Sequence, residues 1–284
     1  MRRQPPTSLF TFYFLLFTFY FSLSHFLFAQ PAPACTPVGR PQLLAAVPEA
    51  SGVAHAAGAL WTHNDSGAPV LFRIDPDRRV TPLVVTGAGA IDWEDIAAGS
   101  CSGAECLYIA DIGDNRLSRQ RVTIYQVAIP PPGSTATAVA HAFHATYPDA
   151  PHDAEALLVT RDATFIITKD VPPRVYRFQS PVRRDETGKL SLVQVLKETF
   201  RITAAAASPD GRWIALRSNG TLLVYTSDGF LKRGNPVRVD LSSLNEPQGE
   251  GLTFGPGGDL YLVSEGRGKG AAGMLTRVHC AFIE

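Results

Sequence analysis

The chain predicts an all-β propeller on three observations: almost no helical periodicity, a repeat of about fifty residues, and turn residues between successive apolar runs. Beyond residue 30 the sequence is a series of short β-branched and aromatic runs separated by Gly, Pro, Asp and Asn, the pattern of short strands. Five strings align as an apolar strand ending in polar residues, at 60–65, 107–111, 165–170, 213–218 and 260–265. Their first residues lie 47, 58, 48 and 47 positions apart. A shorter signature precedes each: Ser51-Gly52-Val53, Glu94-Asp95-Ile96, Glu155-Ala156-Leu157, Ala204-Ala205-Ala206 and Glu250-Gly251-Leu252. Runs at 70–74 and 80–85, 122–127 and 138–146, 175–178 and 190–196, and 222–225 and 236–241 complete four strands in each of the first four units. The last unit has only 274–280, so residues 42–47 are expected to supply its outer strand, closing the ring and covering the final sheet edge. The count gives five blades. A sixth would require a degenerate unit inside 116–150, and a sandwich of similar strand number predicts no fixed repeat.

Residues 1–29 read as an export signal: Arg2 and Arg3, an apolar stretch over 9–28, then Ala29 before Gln30. The alternative is an uncleaved membrane anchor, because the apolar run is long and Phe-rich. Either way the domain 30–284 lies outside the cytoplasm, secreted or periplasmic, with no membrane contact once the signal is cleaved. Loss of the two arginines leaves a net charge of −2, which gives no footprint for nucleic acid. The four cysteines favour disulfides in an exported chain. Cys101 and Cys106 bracket a short loop suited to a local bridge, and pairing Cys35 with Cys280 would staple the ends of the ring; four free thiols are the alternative.

Antiparallel pairing puts the residue entering each innermost strand beside the residue leaving the next, so ring closure gathers these positions around one channel mouth. Eleven of the 26 acids lie in these short segments. Carboxylates crowded there repel one another, which protonation or a hard divalent cation relieves. Oxygen-only donors suit Ca²⁺, whereas the six histidines of the mature chain show no zinc-like clustering. Glu94, Glu155 and Glu250 carry the expectation best, because Glu is not a turn former; Asp65, Asp111 and Asp114 join them as candidate ligands. His63 and His152 are candidate acid–base groups beside Glu94 and Glu155, and Asn64, Lys169, Arg217 and Glu265 are candidate substrate contacts.

The strings at 61–67 (Trp-Thr-His-Asn-Asp-Ser-Gly), 92–97 (Asp-Trp-Glu-Asp-Ile-Ala), 107–115 (Leu-Tyr-Ile-Ala-Asp-Ile-Gly-Asp-Asn), 153–157 (Asp-Ala-Glu-Ala-Leu) and 247–252 (Pro-Gln-Gly-Glu-Gly-Leu) together resemble a family of secreted bacterial propellers. More distantly the chain is similar to β-propeller and esterase-like phytases and to regucalcin-type and paraoxonase-type lactonases. That resemblance implies Ca²⁺ at the channel end, held by Glu94, Asp111, Glu155, Glu250 and Asp65. The chain departs from the phytase pattern in size and in lacking a dense set of basic phosphate contacts. Two functions stand: a metal-dependent hydrolase of a phosphoester or lactone, and a non-catalytic binding or scaffold propeller with a structural metal. An asymmetric mouth holding Lys169 and Arg217 suits a small, anionic molecule. No Gly-x-Ser-x-Gly elbow occurs, which disfavours a serine esterase of that type.

Overall fold

In a computed structural model the protein is described at Met1 and over residues 33–178, 186–268 and 270–283; the export-signal reading falls outside the described residues. Two short strands come first, β1 (Thr36–Pro37) and β2 (Gln42–Leu44). Four antiparallel four-stranded units follow. The first is β3 (Ala50–Ala56), β4 (Ala59–Asn64), β5 (Val70–Ile74) and β6 (Val80–Val84). The second is β7 (Trp93–Cys101), β8 (Ala104–Asp111), β9 (Val122–Ala128) and β10 (His141–Thr146). The third comprises β11 (Ala154–Val159), β12 (Thr164–Thr168), β13 (Arg174–Phe178) and β14 (Thr187–Val195), and the fourth β15 (Ala204–Ala207), β16 (Trp213–Arg217), β17 (Thr221–Thr226) and β18 (Val237–Asp240). The last sheet has β19 (Gln248–Phe254), β20 (Asp259–Glu265) and β21 (Gly273–His279), and both β1 and β2 pair with the outer edge of β21.

The first strands of the units form a closed cycle: β3 packs on β7, β7 on β11, β11 on β15, β15 on β19, and β19 back on β3. That is the propeller expected, closed by the N-terminal segment. The stretch 116–150 holds β9, β10 and a connecting loop that returns to β6 through a Val84–Ala136 bridge, rather than a sixth unit. One departure from separate blades is a parallel pairing of β10 with β14, which joins the second and third sheets at their outer edges.

Burial on both faces of each sheet explains the runs of apolar residues. Among the described residues five hydrophobic clusters form, one between each pair of neighbouring units. β8 shows how: Leu107 and Ile109 face the first unit, while Tyr108, Ala110 and Ile112 face the third, the period of two that a pleated strand imposes. Tight hairpins join the inner strands at the end away from the mouth. Ala57-Gly58 and Ser102-Gly103 both carry positive φ at their two central positions, as a turn matching the twist of paired strands requires.

Both expected disulfides form, and no cysteine is free. Cys101–Cys106 crosses the β7–β8 hairpin, and Cys35–Cys280 ties the N-terminal segment to the end of the last blade across a sequence separation of 245. A loop that long restrains the unfolded chain most. Replacing Cys35 and Cys280 with Ser should therefore lower unfolding free energy by about 2–5 kcal/mol, read as a fall in the urea midpoint. The Cys101/Cys106 pair replaced in the same way should show the smaller fall.

Candidate functional site: an acidic channel mouth

Bulges aim the mouth residues. Pairing of each inner strand with its neighbour shifts register between Ala50 and Val53, Trp93 and Asp95, Ala154 and Ala156, and Gly249 and Leu252. The residues caught in these shifts are Ser51-Gly52, Glu94, Glu155 and Glu250-Gly251. Only β15, which carries alanines at the matching positions, pairs without interruption among these five strands. A bulge leaves one residue out of the ladder and re-aims its side chain. Here it turns three glutamates out of the strand alternation and toward a common space. Gly113 permits the crowding: a Cβ there would overlap Glu94 Oε1 and stand 2.5 Å from Asp92 Oδ2.

Glu94, Asp153 and Glu155 form the centre, each offering an oxygen within 4.8 Å of the others. Glu94 and Glu155 are buried, and the Asp153 side chain is 14% exposed. Lys169, just past the end of β12, pairs directly with Glu155 and lies 3.7 Å from Asp153 Oδ2. Its backbone N–H also donates to the Asp153 carbonyl at 2.9 Å. Burial and then the Asp92 charge push the Glu94 carboxyl well above the carboxylate range, while Lys169 pulls the other way. Asp92 is raised by burial and by Asp153.

A second group of acids faces this centre from the first and last blades. Glu250 is pushed up to about 7, chiefly by burial. Its Oε1 accepts from Gln248 Nε2 at 2.8 Å, and its Oε2 is buried with no protein partner. Asp65 also rises to about 7, through burial and then through its hydrogen bond and charge contact with Glu49; its Oδ1 has no protein partner. Glu265 reaches about 7 through burial and the neighbouring Glu250 charge.

Several expected site residues serve other ends. Asp111 is buried against Arg119 at 2.8 Å and accepts the Asp92 N–H at 3.2 Å, so it is not in the three-carboxylate group. Asp114 accepts the Arg119 N–H and donates its own N–H to Asp153 Oδ1, both at 2.7 Å, so it shapes the loop that holds Asp153. Arg217 is fully buried, pairs with Glu246 and donates to the carbonyls of Gly251 and Val263 at 2.8 and 2.9 Å. It ties the fourth blade to the fifth and lies close enough to Glu250 for the two charges to interact. His63 is also fully buried, edge-on to Trp93 at 5.6 Å, and burial lowers it to about 4, leaving a neutral ring behind the mouth. His152 is held between Asp170 (2.9 Å) and the Tyr176 hydroxyl (2.9 Å). Asn64 Oδ1 accepts the Glu49 N–H at 3.0 Å. Lys169 and Glu265 do reach the mouth. Asp92 and Asp153, expected among the eleven acids at the mouth but not as ligands, and Glu49, not expected there, complete the acidic set. Asp92-Trp93-Glu94 and Asp153-Ala154-Glu155 share an Asp-x-Glu spacing in adjacent blades, a signal present in the sequence for the first two.

No family model matches the chain, and no curated protein matches it by sequence. Similar solved structures exist. The soluble aldose sugar dehydrogenase of Escherichia coli in its apo-form aligns over 85% of this chain and 99% of its own, with a TM-score of 0.51 at 9% identity. A gluconolactonase of Xanthomonas campestris aligns over 88% and 99%, with a TM-score of 0.44 at 13% identity. A streptogramin B lyase aligns over 86% and 97%, with a TM-score of 0.43 at 13% identity. At such identities the likeness is one of fold.

The raised carboxyls set a pH dependence. An acid whose folded value is lifted to about 7, as for Glu250, Asp65 and Glu265, binds more protons folded than unfolded between its ordinary value and 7. Unfolding free energy of the metal-free protein should accordingly fall as pH rises from about 4.5 to about 7 and level off above. Urea midpoints across that window should show this slope, and Glu250→Gln should reduce it.

Proposed function

We propose that the mouth binds a divalent cation, Ca²⁺ by preference, and that the protein is a cation-dependent hydrolase of a small neutral ester, with a lactone as the representative substrate. The observation that carries this is the convergence of Glu94, Asp153 and Glu155, buried or nearly so, with one ammonium among them. The donor set is all oxygen, as a hard cation requires. Glu250 Oε2 and Asp65 Oδ1, buried without a protein partner nearby in the same acidic mouth, add acceptors that want a positive charge or a proton. Glu94, Asp153 and Glu155 would hold the ion, which would supply polarisation of an ester carbonyl.

The remaining work is assigned to the chain's own groups. Lys169 relieves carboxylate repulsion in the absence of the ion and is released from Glu155 when the ion binds. Glu250 takes the proton-transfer role, since a group titrating at about 7 both holds and yields a proton near neutrality. A neutral substrate is favoured over a phosphoester because, of the two cationic contacts expected, Arg217 is spent on Glu246, and Lys169, once released, faces Glu94, Asp153, Glu155 and Glu250 by itself. Action outside the cytoplasm is proposed on the two disulfides and on the N-terminal sequence.

The test is a calcium titration of the mature protein, followed by melting temperature, with turnover of γ- and δ-lactones and of phosphomonoesters measured with and without chelator. Calcium at a hundred times its Kd should stabilise by about 2.7 kcal/mol, and Glu155→Gln should abolish the shift. Lactone turnover should vanish with chelator and drop at least a hundredfold in Glu250→Gln. Stabilisation without turnover of any ester would leave a scaffold propeller with a structural metal, and no stabilisation would remove the cation site itself.

A further inference from the structure

A second concavity, of about 270 Å³, lies at the other end of the propeller. β3 begins beside the mouth and ends at the Ala57-Gly58 hairpin, and this hairpin, the β5–β6 turn and the segment from Val38 to Gln42 line the cavity. It therefore sits on the seam where the N-terminal segment closes the last blade against the first. Its volume falls just below the roughly 300–1,000 Å³ of pockets for drug-sized ligands, so its occupant is small.

The lining combines an apolar floor with uncompensated positive charge. Leu60 and Ile74 form part of the floor, and the His55 and Tyr261 rings, stacked with centroids 6.0 Å apart, also line the cavity. Two lining charges have partners: Asp75 is held by Arg73 at 2.8 Å and Arg79 at 3.0 Å, and Arg277 by Asp259 at 2.8 Å. Arg40 and Arg78 form no ion pair among the described residues. Arg78 donates to the Pro41 carbonyl at 3.3 Å, and its own carbonyl accepts from Gln42 Nε2 at 2.8 Å, so it belongs to the seam itself. Its backbone is in the left-handed region at φ 71°, where glycine is the default residue.

We propose that this seam cavity is a second ligand site, separate from the acidic mouth, for a small oxyanion carried on a flat apolar body. The anion pairs with Arg78 and Arg40, whose guanidinium forks match the paired oxygens of a carboxylate or phosphate monoester. The body packs against the His55 and Tyr261 rings and the apolar floor. The site does not depend on a cation at the mouth or on any hydrolytic activity.

The experiment is binding of benzoate, phenyl phosphate and neutral benzyl alcohol to the disulfide-intact mature protein, followed by shifts of backbone amide resonances. Either anion should saturate shifts confined to residues 38–42, 55–60, 74–78 and 261, and benzyl alcohol should not. Saturation by benzoate alone assigns a carboxylate ligand, by phenyl phosphate alone a phosphate monoester. Arg78→Gly suits the left-handed backbone and retains the carbonyl that Gln42 uses, so its melting temperature should be unchanged or raised while anion affinity drops at least tenfold. Arg40→Gln should weaken binding in the same direction. Equal binding of benzyl alcohol, no saturation by either anion in the millimolar range, or full affinity in both variants would overturn the proposal.

Discussion

A carboxylate sealed from water joins three of the five inner strands. Asp95, fully buried, accepts the N–H of Ile96 in its own strand at 2.8 Å, of Leu157 in β11 at 2.9 Å and of Ala205 in β15 at 3.4 Å. Inner strands of a ring pack against one another without a shared ladder, so amides turned toward the axis need a partner from elsewhere. Each left without one would cost about 1–3 kcal/mol. Burial lifts the Asp95 carboxyl well above the ordinary range although three N–H groups oppose the shift. On the other side β3 comes close, since a Cβ on Gly52 would stand 2.6 Å from the Ile96 nitrogen and 2.8 Å from Asp95 Cα. The spacing of β3, β7, β11 and β15 about the axis thus follows from one side chain and one missing side chain, and the width of the mouth follows from that spacing.

Glu94 precedes Asp95 directly, and Glu155 lies two residues before Leu157. The contacts that hold the axis therefore also fix the distance between two of the three central carboxylates. The fourth blade breaks the symmetry. Its alanines bring neither bulge nor charge, and the buried Arg217–Glu246 pair fills the space and bonds to the next blade. The outcome is a mouth with its acids in two groups, one on the second and third blades and one on the first and last.

The architecture was readable because each blade repeats the same two strings at nearly constant spacing, and each buried strand face writes itself as an apolar run. Glu94, Glu155 and Glu250 were readable for a related reason: a Glu at a strand entrance has no turn chemistry to explain it. The direction of a side chain at the far end of a strand is a different matter. Asp111 ends a strand at the mouth and Asp114 follows it, yet Arg119, eight and five residues further along, draws them into a loop. Arg217 aligns with Lys169 in the repeat, but meets Glu246, a residue in no repeated string. Asp95 lies in a quoted motif and still could not be told from its neighbours, because its partners are amides on two other blades.

The central claim is that Glu94, Asp153 and Glu155 share one cation. A crystal of the mature protein grown with Mn²⁺ in place of calcium, measured at the manganese absorption edge, tests it most directly. The account predicts an anomalous peak at oxygen-ligand distance from all three carboxylates, with Lys169 turned away from Glu155. A peak elsewhere, or Lys169 still paired with Glu155 and no peak between the three, would contradict it.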